Sequence, residues 1–373
     1  GYTLNGGGIS GGIDTIDLSA QTNAGLSLTV DLSQTAGSVR EGANLINTLR
    51  YIENAVGGAG NDLFYLDSAA NSVNGGSGTQ DEVDYSKLNA GNGVSVNLTL
   101  GRAVETGGLV DTLSSIEYVT GSQYADTLIG GAGNNRLNGG GNNDFFQDLT
   151  GGDDTFQGGN GLDTVSYAGY ANGLTINVQS DTLTSITRAA DTTIGADRLE
   201  AVESIAGSDG NDTFTGSLQA SMSLDGGAGT ADELDYSTLG ALTVNLAGGQ
   251  VSNSSGVNMK VANIEVARTG SSNDSLVGND AANLLYAGAG DDTLIGGKGN
   301  DLLDGGADND VADYSTPVGS GEGLTIQRVN SAGSATVIGS VAGAATDTLR
   351  GIEKIIGGSG SDTFIGLISG FTL

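Results

Sequence analysis

One nine-residue unit constrains this chain more than anything else in it. Gly-Gly-x-Gly-x-Asp-x-apolar-x stands at 57–65 (GGAGNDLFY), 158–166 (GGNGLDTVS), 296–304 (GGKGNDLLD) and 357–365 (GGSGSDTFI), and 207–215 (GSDGNDTFT) differs by one Ser. Glycines at the first, second and fourth places permit a backbone with φ > 0 that turns its carbonyls inward. The Asp at the sixth place adds a carboxylate to them. A flexible cage built only of oxygen suits Ca2+ better than Mg2+. The apolar residue at the eighth place (Phe64, Val165, Leu303, Phe364) should point into a core from the middle of a short strand. Any single unit can equally be a plain turn, because Gly and Asp favour turns. Four units in unbroken register, at 278–286, 287–295, 296–304 and 305–313, favour the cation.

These units resemble the repeats-in-toxin family of hemolysin-type calcium-binding proteins, over blocks at 57–86, 121–167, 207–237, 270–315 and 357–366. The resemblance implies an all-β chain: a parallel β-roll or β-helix solenoid of tandem nonapeptide blocks. Units i and i+2 would stack and share Ca2+ between their turns. It places the cofactor Ca2+ on Asp62, Asp144, Asp163, Asp212, Asp292, Asp301, Asp310 and Asp362, with Asp126, Asp154 and Asp274 in degenerate units. The turn glycines Gly57, Gly58, Gly60, Gly290, Gly297, Gly299, Gly358 and Gly360 would complete the sites. Asn135 and Asn283 stand where Asp is expected, keeping an oxygen but losing the charge, so weaker or absent sites are expected there. In GGSGTQDEVDYS and GGAGTADELDYS one extra residue delays Asp81 and Asp232, whose ligation stays open.

Charge fits a cation-bound state. Asp and Glu number 44 against 13 Lys and Arg, a net charge of −31. That excess repels itself when compact, bound divalent cations offset it, and folding should be linked to metal. No basic patch interleaved with aromatics is present, which argues against nucleic-acid binding. Cys and His are both absent, which removes disulfides, thiol or imidazole metal sites and the usual general base. No apolar run is long enough to insert in a membrane. No signal peptide shows in residues 1–10, and the end GLISGFTL is too short to read as an export signal. The resemblance implies type I secretion to the extracellular space or the bacterial cell surface.

A longer repeat surrounds the nonapeptides. Leu-x-x-Ile-Glu recurs at 49–53, 113–117 and 349–353, with variants at 199–203 and 261–265. Glu53, Glu203 and Glu353 are spaced by 150 residues, and Glu117 and Glu265 by 148. The duplicated element is thus a pair of blocks, as expected of an array in which each repeat stacks on its neighbours. The division expected is 1–52 (end of one roll plus a strand segment), 53–116, 117–202, 203–264 and 265–352 (four blocks) and 353–373 (start of a fifth). Alternating strands follow at 27–32, 94–98, 174–178, 242–246 and 324–327. The recurrent Glu is either a ligand closing each roll's entry or a solvated strand residue. The Tyr of Asp-Tyr-Ser (Tyr85, Tyr236, Tyr314, and Tyr167 in Ser-Tyr) is a packing cap or a stacking platform. Residues 1–20 read as the last turns of one roll and 357–366 as the first turn of another, so either the chain is a fragment of a longer array or its ends are complementary, in which case head-to-tail self-association into a filament or lattice is expected.

Three functions compete at this level. The first is a calcium-stabilised structural protein of the cell surface: a surface layer, filament or adhesin stalk, like the surface-layer and adhesin members of the resembled family. Its partners would be other copies of the chain and surface polysaccharide. The second is the non-catalytic β-roll region of a larger type I-secreted enzyme or toxin. His-Glu-x-x-His, Gly-x-Ser-x-Gly and an amphipathic pore helix are all missing. The third is a glycosidase using two carboxylates, which would need one odd pair of acids. The acids here repeat with the turns, so no enzyme activity is expected.

Overall fold

The computed structural model describes residues 2–5, 13–23, 25–32, 37–88, 91, 93–105, 107–147, 150–180, 183–188, 196–315, 323–328, 335–339 and 346–365. Residues 6–12, part of the stretch expected to end one roll, and residues 366–373 lie outside them. Regular structure among the described residues is β-strand alone. The chain forms two compact units, residues 1–167 with 182–204, and residues 168–181 with 205–373.

Each unit is a parallel β-roll. In the first, Tyr118–Thr120 pairs in parallel with Arg136–Gly141, and Thr127–Ile129 with Phe145–Gln147, both 18 residues further on. Successive nonapeptides therefore alternate between two sheets, and one full coil takes two of them. The next coil spans 19 residues, as Arg136 faces Thr155 and Phe145 faces Thr164. The second unit keeps strict 18-residue steps from Val266 to Leu284 to Leu302 and from Ser275 to Thr293 to Val311. The expected i to i+2 stacking is the one observed.

Strands are short because each nonapeptide offers the core one side chain. Leu128, Leu137, Phe146, Phe156 and Val165 are all 0% exposed. The Phe146 and Phe156 rings meet edge to face at 5.8 Å. Burying one such side chain is worth about 1.5–3 kcal/mol, too little for one coil to stand alone, so stability comes from stacking. Phe64, Val165 and Leu303 sit in this core as expected. Phe364 is 36% exposed, because no described coil covers the far side of Thr363–Ile365.

Between blocks the chain breaks the nine-residue rhythm with a three-stranded antiparallel meander. In the first unit, Leu28–Asp31, Gly37–Glu41 and Asn44–Arg50 form one, flanked in parallel by Leu63–Tyr65 and Tyr2–Asn5. Val94–Asn97, Arg102–Glu105 and Val110–Ser114 form the next, flanked by Thr127–Ile129 and Ser72–Asn74. These two lie in opposite sheets. The second unit repeats the alternation with the meanders Leu242–Asn245, Gln250–Asn253, Asn258–Ala262 and Leu324–Arg328, Ala335–Gly339, Thr346–Arg350. The 150-residue period thus has a structural cause: it takes one meander in each sheet to complete it.

The Leu-x-x-Ile-Glu motif returns the chain from meander to roll. Its third residue is left-handed in all five copies, with φ of 54° at Tyr51, 50° at Ser115, 49° at Ala201, 50° at Asn263 and 54° at Gly351. This turn lets the Leu (Leu49, Leu113) and the Ile (Ile52, Ile116) both face the core. Four of the five are not glycine, so the conformation is held by the flanking core residues.

Candidate metal centre: carboxylate ladders at the turns

The position-six carboxylates stack into ladders along the edges of each roll. In the first unit Asp62 Oδ1 accepts from the Leu28 amide at 2.8 Å, Asp81 Oδ1 from the Asp62 amide at 2.7 Å, and Glu117 Oε2 from the Asp81 amide at 3.0 Å. A second ladder runs Val94, Asp126, Asp144, Asp163, Glu203 in the same way. The second unit has Leu174, Asp212, Asp232, Glu265 and Leu242, Asp274, Asp292, Asp310, Glu353. Asp362 begins another by accepting from Leu324. The opposite edges carry Asn135, Asp154, Asp197 and Asn283, Asp301, Asp347. All of the sequence-identified Asp residues therefore occupy rungs.

Rungs differ in how much carboxylate is left over. Three first rungs are satisfied locally: Gly58 N–H donates to Asp62 Oδ2, Ser122 donates N–H and O–H to Asp126, and Ser208 does the same for Asp212. The first rung Asp274 keeps a buried Oδ2 without a partner. Further along, Oδ2 of Asp144, Asp163, Asp292, Asp301 and Asp310 is buried with no hydrogen-bond partner. Asp81 and Asp232 belong to this second group. The extra residue ahead of them is absorbed in the turn, where Asp62 faces Asp81 at a separation of 19 and Asp212 faces Asp232 at 20, so the delayed Asp still reaches its rung.

Glycine makes room beside those oxygens. A Cβ at first-place Gly75, Gly158 or Gly226 would fall onto both the rung's Oδ2 (Asp81, Asp163, Asp232) and the carbonyl oxygen of the coil above (Ser115, Ala201, Asn263). The second-place glycines Gly76, Gly140, Gly159, Gly288, Gly297 and Gly306 have φ near +100° and lie over the carbonyl of the second residue in the coil below. Left-handed backbone in these turns falls mainly at the second place and at the fourth, as at Gly133, Asn142, Gly290, Gly299 and Asp308; the first-place glycines lack it and are there for close approach. Gly57, Gly58 and Gly60 likewise lack positive φ, and their Cβ positions are blocked by Gly75, Gln21 and Leu26 carbonyls. Gly358 and Gly360 lie in the turn before Thr363–Ile365.

This is an oxygen cradle lacking positive charge. Burial, then the neighbouring carboxylates, pushes Asp144 up to about 7, Asp292 to about 7, Asp301 to about 7 and Asp310 to about 6. Asp81 and Asp232 are raised to about 7 for the same reasons. The surface pairs Lys87–Asp31, Arg198–Glu200, Arg268–Glu233 and Lys298–Asp280 involve none of these rungs. No three acidic side chains converge among the described residues, so a cation at a turn would take one carboxylate per coil and backbone carbonyls for the rest. The donor set fits Ca2+. Asn135 and Asn283 fit less well: each Oδ1 accepts from its own turn and each Nδ2 donates to the Glu117 or Glu265 carbonyl.

Three contributors escaped the sequence reading. The recurrent glutamates have a structural role that neither reading of them named. Each brackets the last rung, its carboxylate taking the Asp amide while its own N–H returns to the Asp carbonyl, at Asp14–Glu53, Asp81–Glu117, Asp163–Glu203, Asp232–Glu265 and Asp310–Glu353. The buried tyrosines pack as caps and also donate: Tyr85 to Asp111, Tyr167 to Asp197, Tyr314 to Asp347. The signal was legible as Asp-x-Leu-x-x-Ile/Val-Glu, two residues upstream of the motif noticed. The fifth place builds an outer ladder in which Asn61, Asn134, Asn143, Asn211 and Asn273 each accept from an amide about one coil on.

A parallel roll with glycine cradles and carboxylate rungs defines a calcium-binding solenoid. The family model for the RTX calcium-binding nonapeptide repeat matches residues 50–79, 113–146, 149–168, 200–220, 264–294, 277–312 and 347–367, and the chain belongs to the RTX repeat family. RTX nonapeptide repeats bind calcium, and proteins carrying them are typically secreted, which suggests an extracellular setting. No curated protein matches the chain.

Proposed function

We propose that this chain is a calcium-stabilised structural protein of the bacterial cell surface, assembling with copies of itself into a layer, filament or adhesin stalk. The observation that carries the reading is the repetition of one half-satisfied cradle along both units. Binding chemistry is distributed over the fold. Calcium would sit on Asp62, Asp81, Asp126, Asp144, Asp154, Asp163, Asp212, Asp232, Asp274, Asp292, Asp301, Asp310 and Asp362, with the turn carbonyls as co-ligands. The ladders would then set with metal, making calcium the signal to fold outside the cell. Other copies of the chain, and a surface polysaccharide, are the partners this role calls for; no enzymatic turnover is expected.

Electron microscopy and sedimentation velocity, each in millimolar calcium and in chelator, test the proposal. Ordered polymers in calcium that dissolve in chelator are expected. A chain that folds with calcium yet stays monomeric at high concentration would refute the scaffold role and favour a β-roll accessory region of a larger secreted enzyme or toxin.

A further inference from the structure

We propose that the first unit holds one more Ca2+ outside its nonapeptide turns, on Glu105, Asn71 and Asp111 at the inner edge of the 94–114 meander, with Asp67 beside them. Glu105 is 4% exposed, and neither of its carboxylate oxygens has a hydrogen-bond partner. Asn71 Oδ1 is also buried and without a partner, while its amide N–H donates to Asp111 Oδ1 at 2.8 Å and its Nδ2 to the Glu53 carbonyl. Asp111 Oδ2 takes the Tyr85 hydroxyl at 3.0 Å. Ala103 faces Asp111 across the antiparallel pair, so Glu105, two residues on, shares that face at the diagonal position. Asp67 stands near enough to repel both Glu105 and Asp111. Two carboxylates and an amide oxygen, with three oxygens unclaimed, form a hard donor set that suits Ca2+. None of these residues belongs to a Gly-Gly-x-Gly-x-Asp turn.

The second unit supplies an internal comparison. Register makes Met222 the counterpart of Asn71, since the Lys260 amide bonds the Met222 carbonyl as the Thr112 amide bonds Asn71. Met259, opposite Val251, corresponds to Asp111, opposite Ala103. Asn253, opposite Leu242, corresponds to Glu105, opposite Val94. Met222 and Met259 are the only two methionines in the chain, and both are buried. Asn253 turns to the Ser255 and Val257 amides instead, and Tyr236, the counterpart of Tyr85, is left with an unpartnered hydroxyl. The three polar groups of the 94–114 meander are all replaced at the 242–262 meander, while the 324–350 meander of that unit keeps an acid pair as Asp301 and Asp347 under Tyr314 but has Gly339 opposite Leu324. The buried Glu105, with two unclaimed oxygens beside such a pair, is what sets the 94–114 cluster apart.

Equilibrium dialysis of the full chain against Ca2+, with metal analysis and circular dichroism of the same samples, tests the site. Glu105→Gln should fold in calcium and bind one ion fewer per chain than the wild type. Should that variant fail to fold, the triple variant Asn71→Met, Glu105→Asn, Asp111→Met copies the packing that the second unit already uses, and it should also bind one ion fewer. A folded variant of either kind that binds as many ions as the wild type overturns the proposal and leaves Glu105 as a buried acid that holds a proton.

Discussion

Calcium removal should turn this protein into one that is stable in acid and unstable in base. Without metal, the rungs at Asp81, Asp144, Asp232, Asp292 and Asp301 sit at about 7 in the fold, against an ordinary value of 3.8. Their folded pKa is raised, so their stability contribution is complete below about 4 and is lost as pH rises through about 7. Each pH unit in that window costs about 1.4 kcal/mol for each proton held only by the folded state. Moving from pH 5 to pH 8 therefore costs about 3 kcal/mol per rung. Rungs of one ladder titrate together, so the chain-wide loss is on the order of 10 kcal/mol, as large as the whole stability of an ordinary domain. Bound calcium replaces the proton and removes the effect. Urea unfolding followed by circular dichroism, at pH 5, 6, 7 and 8 with chelator and again with millimolar calcium, measures this. The midpoint should fall steadily with pH in chelator and stay level or rise in calcium. A chelated midpoint that is flat or rises between pH 5 and 8 would refute the argument that these carboxylates are buried without a counter-charge.

Asp301→Ala should weaken the calcium-loaded fold by about 3 kcal/mol, the loss of a site held well above its Kd, and Asp126→Ala by about 1–2 kcal/mol, the worth of its Ser122 and Val94 bonds. In chelator at pH 8 the order should invert, because removing Asp301 removes a buried charge; equal effects in calcium urea melts would argue against graded sites. Glu117→Ala should cost about 1–2 kcal/mol by unpairing the Asp81 amide, with Glu117→Gln near neutral, as read from denaturation midpoints. Tyr85→Phe should cost about 1–2 kcal/mol by stranding Asp111 Oδ2, while Tyr236→Phe, which removes a hydroxyl without a partner, should be neutral or stabilising in the same assay.

The roll, its nine-residue half-coil and its core residues were legible because each follows from one local rule. Glycine spacing sets the turn, and one apolar residue per unit sets the strand. Asp81 and Asp232 were less legible because an inserted residue hides a rung from a fixed register, while a three-dimensional ladder tolerates 18, 19 or 20 residues between rungs. The glutamate brackets could not be read at all from spacing. Glu203 meets Asp163 across 40 residues and Glu353 meets Asp310 across 43, distances fixed by the meander between them. The left-handed turns at Tyr51, Ser115 and Ala201 were hidden for the opposite reason: core packing on both sides imposes them on residues that do not advertise them.

The alternation of meanders has a consequence for how such a chain can grow. Val83 and Val119 are neighbours in one sheet of the first unit, while the facing sheet inserts the Ala103 and Val96 strands between Leu113 and Leu128. At about 4.8 Å per strand, each meander makes its own sheet about 10 Å longer than the one opposite. A second meander in the facing sheet restores equal length. Evolution by duplication of a single block would accumulate a wedge, and the roll would have to bend or part. Duplication by pairs leaves the two sheets equal in length. Deleting residues 53–116 alone should therefore damage the array more than deleting a complete 150-residue period, although it removes fewer residues and fewer turns.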